Sequence, residues 1–199
     1  MRDAILAGAS ALTHLPDDKE VPVKIAKLMS KHNVVSIPTL SVDTDLAEFI
    51  KNPEILATPL AMKVASEKVR ASYTLENLQW TSAKLEKLHL RGQHYYRSVK
   101  TLIDAGVTIL TGSDSGNYGT IQGYSVHREM IKLVQSGMNT WQALQASTTN
   151  AGKFLGKKVG VNIGDEANLV ILEASPIERI ANTQKIALVI HHGEVVTSL

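Results

Sequence analysis

An α/β fold around a parallel sheet, followed by a small β-rich segment, is what the sequence predicts, and three features predict it. Short apolar runs rich in β-branched residues occur at residues 9–14, 34–40 and 107–114. Stretches with apolar residues at helical spacing separate them, which is the alternation of β-α-β units. After Gly156 that alternation stops and short apolar runs follow one another directly, the pattern of strands joined by turns.

Taken in order, Ala4-Ile5-Leu6-Ala7-Gly8 reads as the last turn of a helix closed by a glycine. A domain seldom starts by finishing a helix, so a preceding segment is expected. Residues 9–14, bounded by Gly8 and Pro16, fit a buried strand ending at His14. Residues 22–33 place Val23, Ile25, Ala26, Leu28 and Met29 among lysines, a helical pattern. Residues 34–40, limited by Pro38, form the second predicted strand. Residues 43 to about 90 are polar on one side and broken at Pro53 and Pro59, too long for a plain connection, and read as a helical insertion or lid. An amphipathic helix over 82–105 stops at Gly106, and 107–114 is the third predicted strand, ending at Asp114. Helices follow at about 125–136, 140–146 and 150–155, with Gly137 and Gly156 closing the first and the last. The tail then shows Val159, Val161 and Ile163, the runs 168–172 and 186–190, and Val195 with Val196; His192-Gly193-Glu194 reads as a hairpin turn. The expected division is an α/β domain over 1–156 and a β-rich segment over 157–199.

Composition narrows the function. With 199 residues, 44% hydrophobic and 20% charged, the chain can bury a core of its own. Its 21 basic and 19 acidic residues are interspersed, so neither nucleic acid nor an anionic membrane is an expected partner. Absence of cysteine excludes disulfides and thiolate metal sites, leaving His, Asp and Glu as donors. No run approaches the ~18 apolar residues of a spanning helix, and no signal-peptide core is visible, so a cytoplasmic location is expected.

Residues at the C-terminal ends of parallel strands line the active sites of such folds. His14 and Asp114 stand at two such ends. Imidazole and carboxylate both suit Zn, Mn or Fe(II), which would activate water for hydrolysis. Two donors are fewer than the usual three or four. Structural roles compete: an aspartate before Ser-Gly caps a turn, and a lone histidine is often a hydrogen-bonded structural residue. His127 and Glu129 are two apart on one predicted helix and do not share a face, so His127 faces either a cleft or solvent. His94 beside Tyr95 and Tyr96, and His191-His192, lack ligand spacing. The sequence holds no Gly-x-Ser-x-Gly elbow, phosphate loop or dinucleotide fingerprint. In the Gly-rich Gly112-Ser113-Asp114-Ser115-Gly116 the aspartate would repel a phosphate.

At these residues the chain resembles the amidohydrolase family, in particular its imidazolonepropionase-like and prolidase-like members. The Leu110-Thr111-Gly112-Ser113-Asp114-Ser115-Gly116 segment is similar to the eighth barrel strand, whose terminal aspartate binds metal and handles the proton of the attacking water. Gly123-Tyr124-Ser125-Val126-His127-Arg128-Glu129-Met130 and Ala143-Leu144-Gln145-Ala146-Ser147-Thr148 resemble the helices after it. Ala11-Leu12-Thr13-His14-Leu15-Pro16 resembles the sixth strand with its histidine ligand, and Ile37-Pro38-Thr39-Leu40 the seventh. Residues 159–164 and 167–172 resemble the return into the family's small β-sandwich, with Asn168 where members usually have Ala-Asp. That departure is expected to cost only a local turn contact.

The resemblance implies a partial (β/α)8 TIM barrel, its last three strands and their helices, followed by a β-sandwich-like segment. It implies divalent metal, Zn with Mn or Fe as alternatives, with His14 and Asp114 as ligands serving different parts of a two-metal centre, Asp114 as catalytic base, and His127 as a substrate-pocket residue. The family's His-x-His pair, its bridging lysine or glutamate and a further histidine precede the matched region and have no counterpart here, so the expected site is incomplete. The expected activity is hydrolysis of a C–N bond in an amide, cyclic amide or dipeptide, with a small-molecule substrate and either an N-terminal barrel half or self-association completing the fold. The alternative is an inactive remnant serving as an oligomeric or interaction module.

Overall fold

The computed structural model describes residues 1–196. Helix α1 (Arg2–Leu6) ends as the glycine signals: Gly8 adopts φ 89°, its N–H donates to Ile5 O and that of Ala9 to Ala4 O. Strand β1 (Ala11–Thr13) runs parallel to β2 (Val35–Ile37), with Ala11 opposite Val35 and Thr13 opposite Ile37. Helix α2 (Val23–Lys31) makes the crossover and buries Ala26 and Met29.

The third predicted strand is reduced to one parallel bridge between Ser36 and Ile109. Ser36 N–H donates to Thr108 O and Leu110 N–H to Ser36 O, but Thr111 N–H turns away to Ala146 O at 3.1 Å. Residues 111–114 therefore leave the sheet, a correction to the expected strand over 107–114. A strand persists only where its backbone groups have neighbours to pair with, and among the described residues none pairs with the far side of this segment.

Helix α3 (Leu40–Lys51) begins directly after Thr39, so the inserted helical region starts at Leu40 and the second strand stops at Ile37. A 3₁₀ turn (Pro53–Ala57), α4 (Pro59–Val64) and α5 (Glu67–Ala71) follow. The two prolines break the pattern by starting new turns at the first position, where the missing N–H costs nothing. This region has its own core of Leu46, Phe49, Leu56, Ala61 and Tyr73, packed on Ile121 and Tyr124. Tyr124 Oη donates to Ile55 O at 2.9 Å, sewing the insertion to the chain that leads into α7 (Ser125–Gln135).

Helix α6 (Ser82–Asp104), capped by Thr81 Oγ1, covers the sheet together with α2 and α7. Met29, Leu40, Val99, Leu102, Ile109 and Leu133 are at most 2% exposed and make up much of the main core. Each such side chain contributes about 1.5–3 kcal/mol by leaving water. Helix α8 (Thr140–Ser147) opens with a complete capping box, Asn139 with Gln142, and α9 (Thr149–Phe154) follows.

Between α3 and α7 lies a buried ion cluster. Lys132 Nζ is 2.9 Å from Asp45 Oδ1 and 2.7 Å from Glu48 Oε1, while Arg128 pairs with both carboxylates. Two cations face two anions, so the cluster is neutral, and Lys132 and Asp45 are fully buried. Burial works against charge on Lys132, yet Asp45, Tyr96 and Glu48 together outweigh it and raise its pKa.

In the tail, β3 (Leu169–Leu172), β4 (Ile186–His191) and β5 (Glu194–Val195) form an antiparallel sheet in that order. The β4–β5 hairpin turns through His192 (φ 50°) and Gly193 (φ 83°), as the sequence indicates. No strand forms at Val159, Val161 and Ile163, a second correction. Val161 is 86% exposed and Ile163 fully so, and the chain instead makes a tight turn in which Asn162 N–H donates to Asp165 Oδ2 at 2.9 Å. Asn168, expected to cost a turn contact, makes one: its Oδ1 accepts from His192 N–H and lies 2.9 Å from His191 Nδ1. Val196 lies just past the end of β5, and residues 197–199 fall outside the description. No described helix is long and apolar enough to cross a membrane.

Candidate metal centre

Each of the three chain segments leaving the sheet carries one non-glycine residue in the left-handed region: His14 (φ 65°), Thr39 (φ 54°) and Asp114 (φ 48°). Such conformations cost on the order of 1–3 kcal/mol each and gather at functional sites. Here they bring the ends of the first and third segments together over the second. His14 Nε2 lies 4.0 Å from Asp114 Oδ2, and both side chains remain about half exposed. That separation is too long for a hydrogen bond and wider than the ~3.4 Å between two donors about 2.0–2.2 Å from one tetrahedral ion.

Both side chains are held from behind. His14 N–H donates to Ile37 O at 3.0 Å, and His14 Nδ1 is 2.6 Å from Thr39 Oγ1. Asn117 Nδ2 donates to Asp114 Oδ2 at 2.8 Å, and Thr120 Oγ1 reaches Asp114 O at 3.3 Å. Among the described residues no group of three or more His, Asp or Glu side chains could hold a metal. The pair fits divalent metal in donor type and falls short in donor number.

A polar cluster borders the pair. Arg91 bridges Asp17, three residues past His14, at 3.4 Å and Asp43 at 3.0 Å, while Tyr95 Oη donates to Asp17. Burial raises the Asp43 carboxyl and Arg91 opposes it. The loop after His14 is thereby fastened to α6.

The structure does not join His127 to His14 or Asp114 by any hydrogen bond or ion pair among the described residues. It is 9% exposed, with Nδ1 lacking a partner there, so it does not face solvent. Glu129 points elsewhere, as the spacing of two predicts: its carboxylate accepts from the N–H groups of Leu40 (2.9 Å) and Ser41 (2.7 Å) and from Ser41 Oγ (2.9 Å). It caps α3 immediately after Thr39. Sequence reasoning missed Thr39, Asn117 and this role of Glu129. The strand-end rule that picked out His14 would have picked out Thr39 as well.

Burial lowers the His127 pKa to about 4 and raises that of Glu129 to about 7, the latter against the hydrogen bonds from Ser41 and Leu40. Neutral His127 supports the fold above its ordinary value of 6.5, and that support is lost as pH falls toward 4. Glu129 acts in the opposite sense, with its contribution complete below 4.5 and lost as pH rises through 7. His127→Gln should therefore unfold with less acid sensitivity than the wild type, the gap reaching at most about 3 kcal/mol. Urea midpoints measured at steps between neutral pH and pH 4 check this, and parallel curves for the two proteins would refute it.

A cleft of about 790 Å³ lies between the insertion, α7 and the tail, lined by Ile55, Leu60, Tyr124, Arg128, Ile131 and Ile180 among others. Neither His14 nor Asp114 borders it.

A comparison of the sequence with curated proteins finds no match. Solved structures do match in fold. A Xaa-Pro dipeptidase with methionine bound in its active site superposes with TM-score 0.70 at 22% identity, over 98% of this chain and 41% of its own. An ochratoxinase of A. niger gives 0.62 at 23% identity, covering 98% and 38%. A bottromycin amidohydrolase gives 0.63 at 19%, covering 98% and 51%. The chain thus spans about two fifths to one half of these structures. A model of the amidohydrolase family matches residues 4–196, nearly the whole sequence, and the chain belongs to that family.

Proposed function

We propose that this chain carries the last three strands of a (β/α)8 barrel, over residues 1–156, and part of the metal-binding face of a hydrolase acting on C–N bonds in an amide, cyclic amide or dipeptide. The observation that supports it most directly is the approach of His14 Nε2 and Asp114 Oδ2 to 4.0 Å at the ends of parallel segments. A divalent ion bound there, Zn or alternatively Mn or Fe(II), would lower the pKa of a water molecule and so supply the nucleophile. His14 and Asp114 would serve as ligands at different parts of a two-metal centre. Asp114 would accept the proton of the attacking water, its Oδ2 steadied by Asn117. His127 would line the substrate pocket.

The remaining donors would come from another barrel segment, on the same native polypeptide or a separate one. Exposed Val161, Ile163, Val170 and Ile171, in the stretch that follows residue 156, fit a surface that such a segment covers. The same exposure favours the second reading, an interaction module without activity. Titration of the purified chain with Zn²⁺, followed by calorimetry, separates the two. Weak binding near one equivalent, reduced about tenfold or more in His14→Ala, is the expected result. Binding unchanged in that variant would overturn the assigned centre.

A further inference from the structure

We propose that Thr39 is a positioning residue that holds His14 in the Nδ1–H tautomer and leaves the Nε2 lone pair facing Asp114. A count of protons fixes the tautomer. A threonine hydroxyl has one to give, and Thr39 Oγ1 lies 2.7 Å from Pro38 O, which can only accept. The hydroxyl proton goes to that carbonyl, so at 2.6 Å from His14 Nδ1 the same oxygen must accept. Nδ1 then carries the proton, and Nε2 is bare. Thr39 is 2% exposed, which keeps water from replacing either partner.

The surroundings keep the hydroxyl where it is. Leu40 and Ser41, next in sequence, give their N–H groups to the buried Glu129 carboxylate, which anchors the turn that strains Thr39 to φ 54°. On the other side Gly112 approaches closely: a Cβ built there would meet Ile37 Cγ2 at 2.5 Å and Thr39 Cγ2 at 3.4 Å. The methyl group of Thr39 packs into the space that glycine leaves, which orients the hydroxyl toward His14. A free imidazole interconverts between both tautomers, and only the Nδ1–H form can offer Nε2 to an electrophile.

This inference deepens the strand-end reading, but it is tested without metal or substrate, so failure of hydrolysis would not touch it. Long-range ¹H–¹⁵N correlation spectra of histidine-labelled, metal-free chain at about pH 9, above the imidazole range, read the tautomer directly. His14→Gln identifies the signals. The wild type should show a protonated-type Nδ1 and a bare-type Nε2 for His14. Thr39→Val should shift the ring toward a tautomer mixture, whereas Thr39→Ser should keep the wild-type pattern. An Nε2–H signal in the wild type would overturn the proposal even if Thr39→Val failed to fold. So would an unchanged spectrum in a folded Thr39→Val.

Discussion

Asp114→Asn should lower hydrolysis by about 10²–10⁴-fold in the assembly that turns over substrate, because it removes the proton acceptor and weakens a ligand together. The fold should survive. Asparagine has the same shape, tolerates the left-handed backbone that Asp114 adopts, and can still accept a hydrogen bond from Asn117. Steady-state rates on dipeptides and N-acyl amino acids, together with a urea midpoint, separate the two effects. Undiminished activity in a folded variant would remove Asp114 from the chemistry. Lost activity with a collapsed midpoint would show that the residue holds the loop rather than the reaction.

Lys132→Met should destabilise the chain by about 3–5 kcal/mol, the usual consequence of stripping one partner from a buried charge cluster. After the substitution, Asp45 and Glu48 would share a single guanidinium, leaving an uncompensated negative charge where Asp45 is fully buried. The double variant Lys132→Met with Asp45→Leu restores neutrality and should recover part of the loss, since a well-packed apolar pair can replace a buried ion pair. Chemical denaturation of the three proteins decides it. A single variant within about 0.5 kcal/mol of wild type would mean that the cluster is not what joins α3 to α7.

How much of this could be read from the residues alone depended on range. The helices announced themselves through short-range signals, such as Asn139 with Gln142 at the start of α8 and Gly8 after α1. His14 and Asp114 were legible because a strand end is a local feature. The β-branched texture of 107–114 predicts a strand, but texture does not say whether a neighbour exists to pair with Thr111 and beyond. For the same reason the alternating Val159, Val161 and Ile163 looked like a strand and became an exposed turn around Asp165.

The sequence by itself determined the family, the parallel β-α-β order, the positions of most helices and the two strand-end donors, since each rests on residues within a few positions of one another. Tertiary structure decided what those residues do to each other. Only folding brings His14 and Asp114, one hundred positions apart, to 4.0 Å, places Thr39 between the histidine and Pro38 O, and sets Glu129 under the start of α3. The contacts of His14 with Thr39, of Glu129 with Leu40 and of His14 with Asp114 join residues 25 to 100 positions apart, and no local pattern encodes them. They arise when the apolar faces of α2, α6 and α7 close over the sheet, and the polar groups carried along must then find their partners there.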